Sequence, residues 1–416
     1  MKAITNISSL VCIDEKNQPF KKQDELSNII EIQNAAIIFD HTIKWIGKSD
    51  ELNNAILKHN FFIDNIFDAK CKAIIPGFID SHTHIVFGGN RSNEFARRLQ
   101  GASYIEIAQE GGGIQSTVKA TRSASKAELF ESASKLLSNA IKHGTVAFEI
   151  KSGYGLDLNT EIKMLEVIHM LKEKFPTKIK STFLGAHDFP IEYKNDKDAY
   201  VDLICNEMIP EIAKRKLADY CDAFVDKGYY TLEQGRKIFE TAKKFGMEIR
   251  THADELACVG AAELAAEVCA KSADHLLFVS DEGIESMKKS NVVATILPGT
   301  SFFIRLPYAN ARKIIDSGTI VALATDCNPG SSFTENMQMI LWLATLNLKM
   351  SMEEALVAST LNAAYSLDLH KKLGSIEVGK EASFLILDVP SYKDMFYHYG
   401  TNHIDKVFIK GQEYIG

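Results

Sequence analysis

Eight β-type runs, each largely apolar and separated by amphipathic stretches, constrain this chain more than any other feature. They are AIIPGFIDSHTH (73–84), TVAFEIKSGYG (145–155), IKSTFLGAH (179–187), YCDAFVD (220–226), MEIRTHADE (247–255), ADHLLFV (273–279), VVATILPGT (292–300) and TIVALATDCNPGSS (319–332). Helix candidates lie between them, such as KAELFESASKLLSNAIKH (126–143), TEIKMLEVIHMLKEKF (160–175) and LEQGRKIFETAKKF (232–245). Near-continuous apolar strands alternating with helices imply a parallel sheet covered on both faces. The count of eight selects an α/β fold of the (β/α)8 TIM-type barrel over an open sheet. In such barrels the active site sits at the C-terminal ends of the strands.

The two ends of the chain lack this alternation. AAIIFD (35–40) and TIKWIG (42–47) near the start, with ASFLILDV (382–389) and DKVFIKG (405–411) near the end, are strand-like. Chain ends often lie close together, so residues 1–72 and 372–416 are expected to form a small β-sandwich domain, with the barrel over 73–371. A chain of 416 residues, 46% hydrophobic and 24% charged, builds such a core without disulfides or a structural metal. The net charge of −7 has no long run of either sign, which argues against a nucleic-acid or anionic-membrane surface. The seven cysteines are scattered without a CxxC pair, as in a reduced, cytoplasmic protein. There is no signal-peptide h-region and no apolar run long enough to span a membrane.

The predicted strand ends carry His82 and His84, Lys151 and Tyr154, His187, Asp226, His252 and Glu255, His275, and Asp326. In an extended strand residues i and i+2 point the same way, so both imidazoles of His82 and His84 can face the barrel mouth, with Thr83 turned away. An isolated HxH also reads as a polar strand end. Together with His252 and Asp326 it offers three nitrogens and a carboxylate to a metal, with a position left for water. Glu255 is placed to move a proton between water and a leaving nitrogen, although a Glu at a helix N-terminus is the competing reading. His275 is an orienting partner behind the site or a satisfied core histidine. His187 can anchor a substrate carbonyl. Arg91 presents a fork suited to a substrate carboxylate, and Tyr104 and Tyr154 can add hydroxyl donors. Gly111–Gly113 has neither a Walker nor a GxGxxG pattern and reads as a mouth loop. Lys151 could bridge two metals if modified, but one metal site is already filled without it.

PGFIDSHTHIVFGGNR, GGGIQSTVKATR, KSGYGLD, FLGAH, THADE, ADHL, LPGT and ATDCNPGSS, in order over about residues 76–332, resemble the motif series of the imidazolonepropionase family, in the metal-dependent amidohydrolase superfamily. The resemblance implies hydrolysis of 4-imidazolone-5-propanoate to N-formimidoyl-L-glutamate, the third step of histidine degradation. It implies one Zn2+ or Fe3+ ion per subunit on His82, His84, His252 and Asp326. It sets the substrate against Arg91, Tyr104, Tyr154, His187 and Glu255, with Asn328, Gly330 and Ser331 at the ring or product, and it implies a homodimer. It leaves Glu255, His275 and Asp326 to divide the proton transfers. Asp188, after FLGAH, departs from the smaller residue common there. Two readings compete. Another mononuclear amidohydrolase, such as a heterocycle deaminase, would share the ligands but need no arginine for a carboxylate. A catalytically dead barrel scaffold would lack ligands that are all present here.

Overall fold

In the computed structural model, residues 1–14, 17–101 and 112–416 are described. Eight parallel strands follow in sequence order: Phe78–Asp80, Thr145–Lys151, Lys178–Ala186, Tyr220–Val225, Glu248–Ala253, Ser272–His275, Val293–Ile296 and Val321–Leu323. Each pairs in parallel with the next. The first and last meet beyond their ends, through a parallel bridge between Thr83 and Cys327. At this seam the His84 amide donates to the Cys327 carbonyl at 2.9 Å and the Asp326 amide to the His82 carbonyl at 3.0 Å. Closing the barrel is therefore what sets the HxH pair beside Asp326.

The outer helices form where the pattern predicts, at Lys126–Lys142, Leu158–Lys174 and Leu232–Lys244. The first shows why. Ser125 caps it, accepting from the Glu128 amide while the Glu128 carboxylate reaches back to the Ser125 amide. Leu129, Ala133, Leu137 and Ile141 repeat along one buried face. Truncating Leu137 to alanine there would cost about 2–5 kcal/mol.

The termini build a second sheet of eight strands. Lys2–Val11 pairs with Glu31–Phe39, which pairs with Ile43–Lys48; Asn65–Asp68 also lies against the first strand. The strands from the C-terminus enter through Ile74–Pro76, which pairs antiparallel with Phe384–Leu387, followed by Ile404–Ile409. The apolar run 73–84 is thus not one strand but two, shared between the sheets. The switch is at Gly77, where a Cβ would lie 2.5 Å from the Val146 side chain. The N-terminal segment also holds a helix, Leu52–His59, among its strands. Among the described residues no cysteine is in a disulfide, and no helix is long and apolar enough to cross a membrane.

Candidate active site

A cavity of about 580 Å³ opens at the C-terminal ends of the barrel strands. Its walls include His84, His252, His275 and Asp326 together with Arg91, Tyr154, His187, Glu255, Asn328, Gly330 and Ser331. His82 lies just beneath, fully buried. Of the residues singled out in the sequence, Tyr104 falls outside the described residues, as does Gly111.

At the floor, His82 Nε2 is 3.2 Å from His84 Nε2, and each is 3.4 Å from Asp326 Oδ1. One nitrogen of His252 joins His82 and His84 with all three ligand atoms within 4.8 Å, and His275 forms a like group with His82 and Asp326. Burial, reinforced by neighbouring cationic groups, pushes His82 and His84 well below the ordinary imidazole value, so both are neutral. The His82 Nδ1–H donates to Asp274 at 2.7 Å, leaving its Nε2 lone pair directed at the cluster. His84 Nδ1 is buried without a hydrogen-bond partner among the described residues. Neutral imidazole nitrogens and a carboxylate crowded together are a donor set for a metal ion, and these residues fit one. Thr83, between the histidines, turns aside and donates to the Glu149 carbonyl at 2.7 Å.

Asp326 is the third residue after Leu323, where the last strand ends, and takes a left-handed φ of 52°. Thr300 donates to its Oδ2 at 2.5 Å, while burial pushes its pKa up to about 6. Glu255 sits in the loop after Glu248–Ala253, not in a helix; the next helix begins at Ala261. The helix-terminus explanation of this residue therefore fails. Burial and the nearby Asp326 push Glu255 up to about 8. Its Oε1 lies 3.7 Å from Nδ1 of His275, which stands at its strand end with φ 79°. No hydrogen bond joins His275 to Asp326. The His187 Nδ1–H donates to the Gly153 carbonyl at 3.0 Å, and burial holds its pKa at about 3, so its Nε2 is an acceptor rather than a donor to a carbonyl. Asn328 organises the loop after Asp326, its Oδ1 accepting from the Gly330 and Ser331 amides at 2.8 Å. Arg91 pairs with Glu94 at 2.9 Å through both Nε and Nη2. Asp188 accepts from Gln115 at 3.1 Å.

Sequence reasoning missed a buried ionic layer under the floor. Lys151 Nζ lies 2.8 Å from both Glu149 Oε1 and Asp222 Oδ2 and 3.8 Å from Asp274 Oδ2. Asp222 accepts from His252 Nδ1 at 3.0 Å, as Asp274 does from His82. Burial opposes ionisation of Asp222, yet His252 and Lys151 hold it far below the usual carboxylate range. Burial also disfavours the charged imidazole of His252, and the Asp222 charge overrides it, raising the pKa. Each carboxylate fixes which ring nitrogen of its histidine faces the cluster. Lys151 is thus an ion-paired ammonium. The signal was present: charged residues inside strand-like apolar runs.

Residues 73–414 match the amidohydrolase family. A Geobacillus sp. (strain WCH70) imidazolonepropionase is 44% identical over 98% of this chain and 96% of its own length. One from Brevibacillus brevis is 49% identical over 83% of this chain and 82% of its own. Among solved structures, a 5-methylcytosine deaminase from Klebsiella pneumoniae superposes with a TM-score of 0.73 at 15% identity, covering 99% of this chain and 98% of its own. A guanine deaminase from C. acetobutylicum reaches 0.67 at 18%, covering all of both chains. At those identities the two deaminases share the fold alone. The full-length relatives and the ordered motif series around the cavity agree: the chain belongs to the amidohydrolase family, among the imidazolonepropionases.

Proposed function

We propose that this chain hydrolyses the cyclic amide of 4-imidazolone-5-propanoate to N-formimidoyl-L-glutamate, with a Zn2+ or Fe3+ ion held by His82, His84, His252 and Asp326. The observation that carries the reading is one cavity with His82, His84 and Asp326 donor atoms within 3.4 Å of one another at its floor and an arginine in its wall. When bound, the metal supplies Lewis-acid polarisation and a water acidic enough to act near pH 7.

The protein's own groups do the rest. Arg91 holds the propanoate and orients the ring, replacing a tumbling encounter by a fixed approach. His187 Nε2 accepts a ring N–H, and the Tyr154 hydroxyl, whose pKa burial raises, stays a donor. Glu255 Oε1, on a carboxyl poised near neutrality, takes up a proton and returns it to the departing ring nitrogen, with His275 behind it. Asp326 shares that work from the metal side. Asn328, Gly330 and Ser331 line the wall toward the product. We place the enzyme in the cytoplasm as a homodimer that binds neither nucleic acid nor membrane.

An ultraviolet assay of imidazolone ring loss tests the reading. Metal-replete protein should clear the absorbance, chelator should abolish this, and Zn2+ or Fe3+ should restore it. Persistence of the ring with metal-replete protein would refute the proposal.

A further inference from the structure

We propose that Arg98 is a second arginine for the substrate's carboxylate, a specificity-determining residue acting beside Arg91; this rests on the imidazolone propanoate reading above. Arg91 immediately precedes the helix Ser92–Leu99, on which Glu94, Phe95 and Arg98 follow at helical spacing and so share its face. All four line the active-site cavity.

The two arginines differ in what already holds them. Arg91 is committed to Glu94, whose Oε2 takes both its Nε and Nη2 at 2.9 Å, while Glu94 Oε1 accepts from the Gly113 amide at 3.1 Å. Arg98 has no carboxylate partner among the described residues. Its Nη2 donates to the Gly330 carbonyl at 3.2 Å, and its guanidinium carbon lies 5.6 Å from the Phe95 ring and 5.3 Å from the Phe303 ring. Those rings stack on each other at 4.8 Å. Aromatic faces and one carbonyl set the guanidinium plane and leave most of its N–H donors without a partner among the described residues.

Both guanidiniums flank Gly330. A Cβ there would lie 2.2 Å from Arg91 Nη1, so the glycine lets the pair close on the loop. Two cations thus face this wall with Glu94 as their one described carboxylate. Burial, and then Arg91 itself, lowers the Arg98 pKa, as expected of like charges drawn together. An incoming carboxylate supplies the missing negative charge and accepts from the idle fork.

The test compares the propanoate substrate with its neutral carboxamide in wild type, Arg98→Leu and Arg98→Lys. Arg98→Leu should raise KM for the propanoate about 10- to 100-fold, the loss of a charge-assisted hydrogen bond, with kcat within about twofold. KM for the carboxamide should rise several-fold less than KM for the propanoate, and retained kcat on it reports a folded site. Arg98→Lys should recover part of the affinity, since it keeps charge without the fork. Equal loss on both substrates, or no change in KM for the propanoate, would overturn the assignment. Failure of the wild-type chain to turn over the propanoate would instead overturn the underlying reading, and this one with it.

Discussion

Replacing Lys151 with methionine keeps the volume of the side chain and removes one charge from the centre of the barrel. Glu149, Asp222 and Asp274 face Lys151 and Arg250 there, all five fully buried. Two of the Lys151 contacts are 2.8 Å long. At an effective dielectric of about 20 each is worth about 6 kcal/mol of gross attraction. Against this stands the desolvation of the ammonium, several kcal/mol that the variant no longer bears. The net loss on breaking a buried ion pair from one side is about 3–5 kcal/mol, because carboxylates are left unpaired. With an unfolding entropy of about 2.1 cal/mol/K per residue over 416 residues, that lowers Tm by about 3–6 °C. Calorimetry of the metal-replete variant measures it. Adding Glu149→Gln should restore part of the loss by rebalancing the layer. A fall in Tm below about 1 °C, or no recovery in the double variant, would refute the claim that Lys151 acts as a structural counter-charge.

Asp226, at the end of the fourth barrel strand, accepts from the backbone amides of Glu255, Leu256 and Ala257 at 2.7, 2.8 and 3.1 Å. Asp226→Ala should lower kcat at least about 100-fold and speed hydrogen exchange at residues 255–257, because Glu255 loses the anchor of its loop. Unchanged exchange there would sink the idea. Gly330→Ala sets a methyl 2.2 Å from the present position of Arg91 Nη1, so the guanidinium must move. Steady-state kinetics should show KM up about tenfold with kcat nearly kept; a fall in kcat alone would contradict the placement of Arg91 at the carboxylate.

The barrel was legible because seven of its eight strands announce themselves twice, as an apolar run and by the polar residue that ends it. His82, His84, His187, His252 and Asp326 were found from that second mark, and all belong to one cavity or its floor. The split at Gly77 was hidden, since both halves of 73–84 are equally β-like and only the close approach of Val146 separates them. The direction of the His187 hydrogen bond was hidden too. It depends on the Gly153 carbonyl, brought in by a different strand-end loop. Arg98 could have been found: Arg91, Glu94, Phe95 and Arg98 recur at helical spacing, but a helix after the HxH loop was not read.

The ionic layer shows what the period-two pattern hides when a run is read as simply apolar. Glu149 and Lys151 are two residues apart on one strand, Arg250 and His252 on another, and Asp80, His82 and His84 follow the same alternation at the first. Alternate residues of a barrel strand point inward in successive layers. The geometry that brings His252 to the cavity therefore also drives Arg250 into the barrel interior, where it donates to the Ser81 and Ser366 carbonyls at 2.9 and 3.0 Å. Asp80, held by the Thr325 amide and hydroxyl at 3.0 and 2.6 Å, does the same on the seam that aligns Asp326. His252 is thus oriented by Asp222 on the adjacent strand and His82 by Asp274 on a strand that is not its neighbour, and both carboxylates are in turn balanced by Lys151. A hydrophobic layer at that depth would pack as well but could not choose a tautomer. The ionic interior of this barrel fixes which ring nitrogens of His82 and His252 face the cluster above it.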